Sequence, residues 1–102
     1  MIARLWLDDL RPAPGPDWLV ARTSAEAIAI LETEDVGYIS FDHDLGGDDT
    51  AMAVVDWLDE RAALRPDYPI PDWGVHAANP VGGERIRAAM RAMWERRLEV
   101  TW

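Results

Sequence analysis

Cysteine and lysine are both absent from the 102 residues, phenylalanine occurs once, and no apolar run approaches the length of a membrane span. Without cysteine there is no disulfide framework, no Cys-based zinc site and no thiol nucleophile. No basic segment leads into an apolar one at the start, so neither secretion nor membrane insertion is expected, and a soluble cytoplasmic protein is. Positive charge is scarce too. Ten arginines face 19 acidic residues, and the formal net charge is −9. Such a chain repels polyanions, which excludes sequence-independent binding to nucleic acid unless a bound cation supplies the missing charge.

What is present suits one core. Hydrophobic residues make up 49% of the chain, with six tryptophans, and the length predicts a single domain over residues 1–102. Two proline clusters, 11–16 and 65–71, read as loops, because proline fixes φ, removes a donor and restricts the residue before it. Ile2 to Leu7, Trp18 to Ala21, Tyr38 to Phe41, Trp73 to Ala77 and Leu98 to Trp102 read as five short strands. Between them lie three helical patterns. One starts at Thr23 with Glu26 three residues on, as in a capping box, and carries Ala27, Ile28, Ile30 and Leu31. The second, capped by Asp48 or Asp49, carries Met52, Val54, Val55, Leu58 and Ala62, and the third carries Ile86, Ala89, Met90 and Met93. Strands alternating with helices predict an α/β fold with a mostly parallel sheet. About ten residues separate the first two strands, too few for a crossover helix. Either a proline-rich loop makes that return, or those strands are not parallel neighbours.

In open α/β sheets, ligands bind outside the carboxyl ends of the strands. The polar residues collect there. The first strand ends in Asp8-Asp9, the third in Asp42-His43-Asp44, and the fourth at His76 with Asn79 just beyond; both histidines of the chain sit at such ends. Carboxylates crowded at a sheet edge repel unless a cation bridges them, and an all-oxygen set suits Mg²⁺ or Mn²⁺. Asp8, Asp9 and Asp42, with Asp44 beside them, are therefore the candidate metal ligands. The plainer alternative is that each aspartate ends a strand or caps a turn.

Imidazoles titrate near neutrality, so His43 and His76 are candidates for general acid and base on a phosphate. Either can instead be a metal ligand or a side chain that orders its loop by bonding a carboxylate. The turn at Asn79, Gly82 and Gly83 enters a helix, whose free N–H groups suit phosphate, although a flexible Asn-Pro turn explains it equally. Arg11 follows the first aspartate pair and can hold either those carboxylates or a phosphate oxygen. Arg85, Arg87, Arg91, Arg96 and Arg97 read as a solvated helix face. The tryptophans read as packing, with Trp18 and Trp73 beside loops also open to stacking on a base.

Three motifs, Leu-Asp-Asp-Leu-Arg-Pro (7–12), Asp-His-Asp-Leu-Gly (42–46) and His-Ala-Ala-Asn-Pro-Val-Gly (76–82), occur in order along most of the chain. Together the sequence resembles a divergent receiver-like family, related to response-regulator receivers and described as processing cyclic phosphates. The resemblance implies a compact flavodoxin-like sheet of five strands in the order 2-1-3-4-5, with the first helix missing. It also implies a divalent-cation site at Asp8, Asp9 and Asp42, with the histidines added for phosphoester chemistry. Asp42 stands where ordinary receivers accept phosphate and joins His43 and His76 as a candidate catalytic residue. Ordinary receivers use a lysine on the fifth strand and a hydroxyl residue after the fourth. Here lysine is absent and Ala77-Ala78 follow His76, which argues against phosphorelay signalling.

The expected function is a metal-dependent phosphoesterase acting on a cyclic or terminal phosphate of a nucleotide or RNA end. The alternatives are a non-catalytic receiver-like module that binds a protein partner and, ranked lower, an acidic mimic of nucleic acid.

Overall fold

Four apolar runs that stop at polar residues form strands β1 (Ala3–Leu7), β2 (Trp18–Ala21), β3 (Val36–Phe41) and β4 (Asp72–Val75). The computed structural model describes residues 2–100. The strands pair into one sheet, order β2-β1-β3-β4, and every pairing is parallel. Leu7 lies level with Ala21 and Phe41, and Phe41 with Val75, so all the carboxyl ends emerge along one edge. No helix lies between β1 and β2. The proline-rich loop makes the return, pinned by Arg22, whose Nη1 donates to the carbonyls of Asp8 (2.9 Å) and Arg11 (2.7 Å).

Strand alternation divides the side chains between two faces. Leu5, Leu7, Ile39 and Phe41 are fully buried against helices α1 (Ser24–Thr33), α2 (Met52–Leu64) and α3 (Pro80–Val100). The helices contribute Ala27 and Leu31, then Val54, Val55 and Leu58, then Ile86, Met90 and Met93, at the spacings expected of apolar helix faces. Each fully buried Leu, Ile or Phe contributes about 1.5–3 kcal/mol. The opposite face carries Arg4, Trp6, Trp18, Val20, Tyr38 and Ser40, and among the described residues no helix covers it. Its aromatics pack on one another instead: Trp18 meets Trp6 and Tyr38 edge-on at 5.8 and 6.0 Å, and Arg4 lies over the Trp18 ring.

Three expectations are corrected. Among the described residues the sheet has four strands and no fifth: residues 98–100 extend α3, since neither glycine nor proline interrupts the helix-forming run before Leu98, and Thr101 and Trp102 lie outside the described residues. Asp48 and Asp49 do not cap α2, whose N-cap is Ala51 without a side-chain bond. Asp49 instead accepts from the backbone N–H (2.9 Å) and hydroxyl (2.5 Å) of Ser24, tying the loop after β3 to the start of α1. Finally, α3 starts at Pro80 and takes Gly82 and Gly83 into its first turn. Proline suits a first helical position because the missing N–H has no partner there anyway.

Candidate functional site

Asp8 continues β1 by one residue, its N–H donating to the Ala21 carbonyl at 3.1 Å, and its side chain is 1% exposed. Oδ1 accepts from the backbone N–H groups of Leu10 (2.9 Å) and Arg11 (2.8 Å), a local turn that aspartate favours. Oδ2 lies 3.1 Å from Arg11 Nε and 3.0 Å from His76 Nε2. Burial pushes the Asp8 carboxyl up. The two backbone donors, His76 and the Arg11 guanidinium outweigh it and hold the group below its ordinary value.

Asp42 extends β3 in the same way, donating its N–H to the Leu7 carbonyl at 2.9 Å. Its Oδ1 accepts from the His43 N–H at 2.8 Å and lies 3.8 Å from Arg11 Nη2. Here burial dominates and the Asp8 charge adds to it, so the Asp42 carboxyl is raised despite the His43 N–H and Arg11. Asp8, Asp9 and Asp42 each offer a carboxylate oxygen, and these oxygens lie within 4.8 Å of one another. The donor set is oxygen only, and one member is an anion crowded by another. Both facts fit a hard divalent cation such as Mg²⁺ or Mn²⁺. Arg11, half exposed, supplies positive charge to Asp8 and Asp42, and its Nη2 also donates to the His76 carbonyl at 3.2 Å.

His76 follows β4, its N–H donating to the Phe41 carbonyl at 2.9 Å, and its ring turns toward the helix-free face. There it stacks on Trp6 with centroids 3.8 Å apart and planes 4° from parallel. Both ring nitrogens are engaged: Nε2 with Asp8 and Nδ1 with the Ser40 hydroxyl at 2.7 Å. An ionised carboxylate only accepts, so Nε2 carries the hydrogen and Nδ1 accepts from Ser40. Burial lowers the His76 pKa, although Asp8 and Asp42 pull the other way. Trp6 also donates its indole N–H to the Arg11 carbonyl at 3.0 Å, which fastens the loop carrying Arg11.

The second motif histidine is placed differently. His43 is buried, with Nδ1 3.0 Å from Asp44 Oδ1 and Nε2 enclosed without a partner among the described residues. Its ring lies against the backbone of α3 at Gly82, where a Cβ would come within 2.6 Å of Nδ1 and 2.7 Å of Cδ2. Only glycine allows that approach. Asp44 is not drawn into the carboxylate cluster. Its oxygens bond His43 and the Asn79 amide (3.3 Å), and those two bonds lower its pKa. The Asn79 side chain accepts from the Gly82 N–H (3.1 Å) and its carbonyl from the Gly83 N–H (2.8 Å). Both glycine amides thus close the helix's first turn within the chain.

The structure therefore brings together Asp8, Asp9, Asp42, Arg11 and His76, and sets His43, Asp44, Asn79, Gly82 and Gly83 in an adjoining group. Sequence reasoning missed Ser40 and Trp6. Strand parity puts Trp6 on the face of Asp8 and Ser40 on that of Asp42, but only the register, with Trp6 opposite Ser40 and Ser40 opposite Gly74, brings them to His76. No curated protein and no solved structure matches the chain significantly. Residues 3–92, however, match the family model of the cyclic-phosphate processing receiver domain, and the chain belongs to that family.

Proposed function

We propose that this protein is a metal-dependent phosphoesterase that opens a cyclic phosphate of a nucleotide or RNA end. The observation that carries this reading is the convergence of three carboxylates and Arg11 at the sheet edge, in a chain of a cyclic-phosphate processing family. Asp8, Asp9 and Asp42 would hold Mg²⁺ or Mn²⁺. Bound there, a divalent cation supplies Lewis acidity and charge to a phosphate oxygen. Arg11 already contacts two of the carboxylates and, being half exposed, can turn its guanidinium to a phosphate. In the reaction a water oxygen adds to phosphorus, one P–O ester bond breaks, and the leaving alkoxide collects a proton to leave a monoester.

His76 acts in this reading through Asp8. Carrying its hydrogen on Nε2 and accepting at Nδ1, the neutral ring offers substrate neither a free lone pair nor an acidic proton. It orients the Asp8 carboxylate, as outer hydrogen-bond partners of metal ligands commonly do. The two roles separate experimentally. Loss of an acid or base lowers kcat with Mn²⁺ affinity intact, whereas loss of an orienting group weakens Mn²⁺ binding by about 10- to 100-fold. We expect the second pattern for His76→Asn.

A second reading is favoured by the state of both imidazoles, His76 with both nitrogens bonded and His43 with its unpartnered Nε2 enclosed: a receiver-derived module that binds a phosphate ligand or a protein partner without chemistry. Incubation with 2′,3′-cyclic mononucleotides and Mg²⁺ or Mn²⁺, followed by phosphorus NMR, decides between them. Monoester that accumulates with wild type and not with Asp42→Asn supports the enzyme. Saturable nucleotide binding with no product supports the module.

A further inference from the structure

Ser40 belongs to none of the three motifs, yet its hydroxyl is nearly buried and points along the sheet to His76 Nδ1 at 2.7 Å. A serine in the middle of a strand has no local need of that bond. Three contacts fix the imidazole: Ser40 at Nδ1, Asp8 at Nε2, and the Trp6 indole on its face at 3.8 Å. Asp8 alone would leave the ring free to pivot about the Nε2 bond. Trp6 fixes its plane but not which edge faces the carboxylate. Ser40 anchors the opposite edge, so an inverted ring would place a carbon against the hydroxyl as well as against the carboxylate, and the pivot about the Nε2 bond is stopped.

We propose that Ser40 is a positioning residue, which locks the His76 ring so that its Nε2–H is permanently aimed at Asp8 Oδ2. The relay runs Ser40 Oγ–H to Nδ1, then Nε2–H to carboxylate, and it crosses from β3 to β4 to the end of β1. It sets one oxygen of the cation-binding group before any ligand arrives. The inference rests on the metal-site reading only for its consequence. The hydrogen-bond relay itself exists in the metal-free protein.

The test uses ¹⁵N-labelled full-length protein without metal. Wild type should show His76 with a protonated Nε2 and an unprotonated, hydrogen-bonded Nδ1. A protonated Nδ1 in wild type overturns the proposal before any variant is made. In Ser40→Ala the Nδ1 signal should move to that of an unbonded nitrogen, and Mn²⁺ binding should weaken about 2- to 10-fold, the range one neutral hydrogen bond commands. Ser40→Thr keeps the hydroxyl and should restore both readouts, which mere packing loss would not permit. A His76 spectrum and Mn²⁺ affinity unchanged in Ser40→Ala overturn the proposal. If wild type binds no Mn²⁺, the metal reading fails alone, and the His76 spectrum still judges Ser40.

Discussion

Asp42 ionises beside the Asp8 carboxylate, within a sheet edge that withdraws it from water. Its pKa is raised, so the group favours the folded state when protonated, below its ordinary 3.8, and that contribution is lost as pH rises through the higher folded value. At neutral pH the ionised group therefore works against the metal-free fold. Asp42→Asn keeps an acceptor for the His43 N–H and removes the charge. It should raise the metal-free Tm at pH 7, measurably in a domain of this size, where each 1 kcal/mol or so moves Tm by ~4–8 °C. A lower Tm would mean that the Arg11 contact outweighs the repulsion. Asp8 and His76 behave oppositely. Both folded pKa values are lowered, so each contributes stability fully above its ordinary value, 3.8 and 6.5, and loses it as pH falls through the folded one. Denaturant midpoints of wild type should therefore begin to fall below about pH 6.5. His76→Asn should remove that first limb and leave the loss that Asp8 contributes at lower pH.

The first turn of α3 separates two glycines that look alike in sequence. A Cβ on Gly82 collides with the His43 ring, whereas on Gly83 it meets Arg87 Nη1 and Val75 Cγ1 at 3.5 Å, an ordinary contact. Alanine in a helix gains about 1 kcal/mol over glycine, and overpacking costs about 1–3 kcal/mol. Gly83→Ala should thus be neutral or stabilising and Gly82→Ala destabilising, read by urea midpoints at constant slope. Much of this architecture was legible beforehand. The strands show as apolar runs that stop at acids, the helices as stripes of period 3.6, and parallel alternation then puts Asp8, Asp42 and His76 on one edge. What escaped depended on register or on competition between elements. Ser40 and Trp6 meet His76 only once β1, β3 and β4 are aligned. Asp49 has two helix starts within reach and takes the more distant in sequence, at Ser24. Leu98 and Val100 carry apolar side chains that suit a strand, and only the uninterrupted helix before them decides their fate.

At the scale of the molecule, a net charge of −9 makes any cation stabilising to some degree, because screening relieves self-repulsion. A specific site must be separated from that background. Monovalent salt should raise Tm gradually and without saturation. At constant ionic strength, Mg²⁺ or Mn²⁺ should add a saturable rise that follows single-site binding, worth about 2.7 kcal/mol at a hundred times Kd. Three carboxylates gathered within 4.8 Å have the density to produce it, and among the described residues no other such group is gathered so closely. Asp42→Asn should keep the screening response and lose the saturable one, although its own metal-free Tm is higher. An equal divalent response in both proteins would assign the effect to the overall field and would leave the sheet-edge aspartates as strand ends and turn caps.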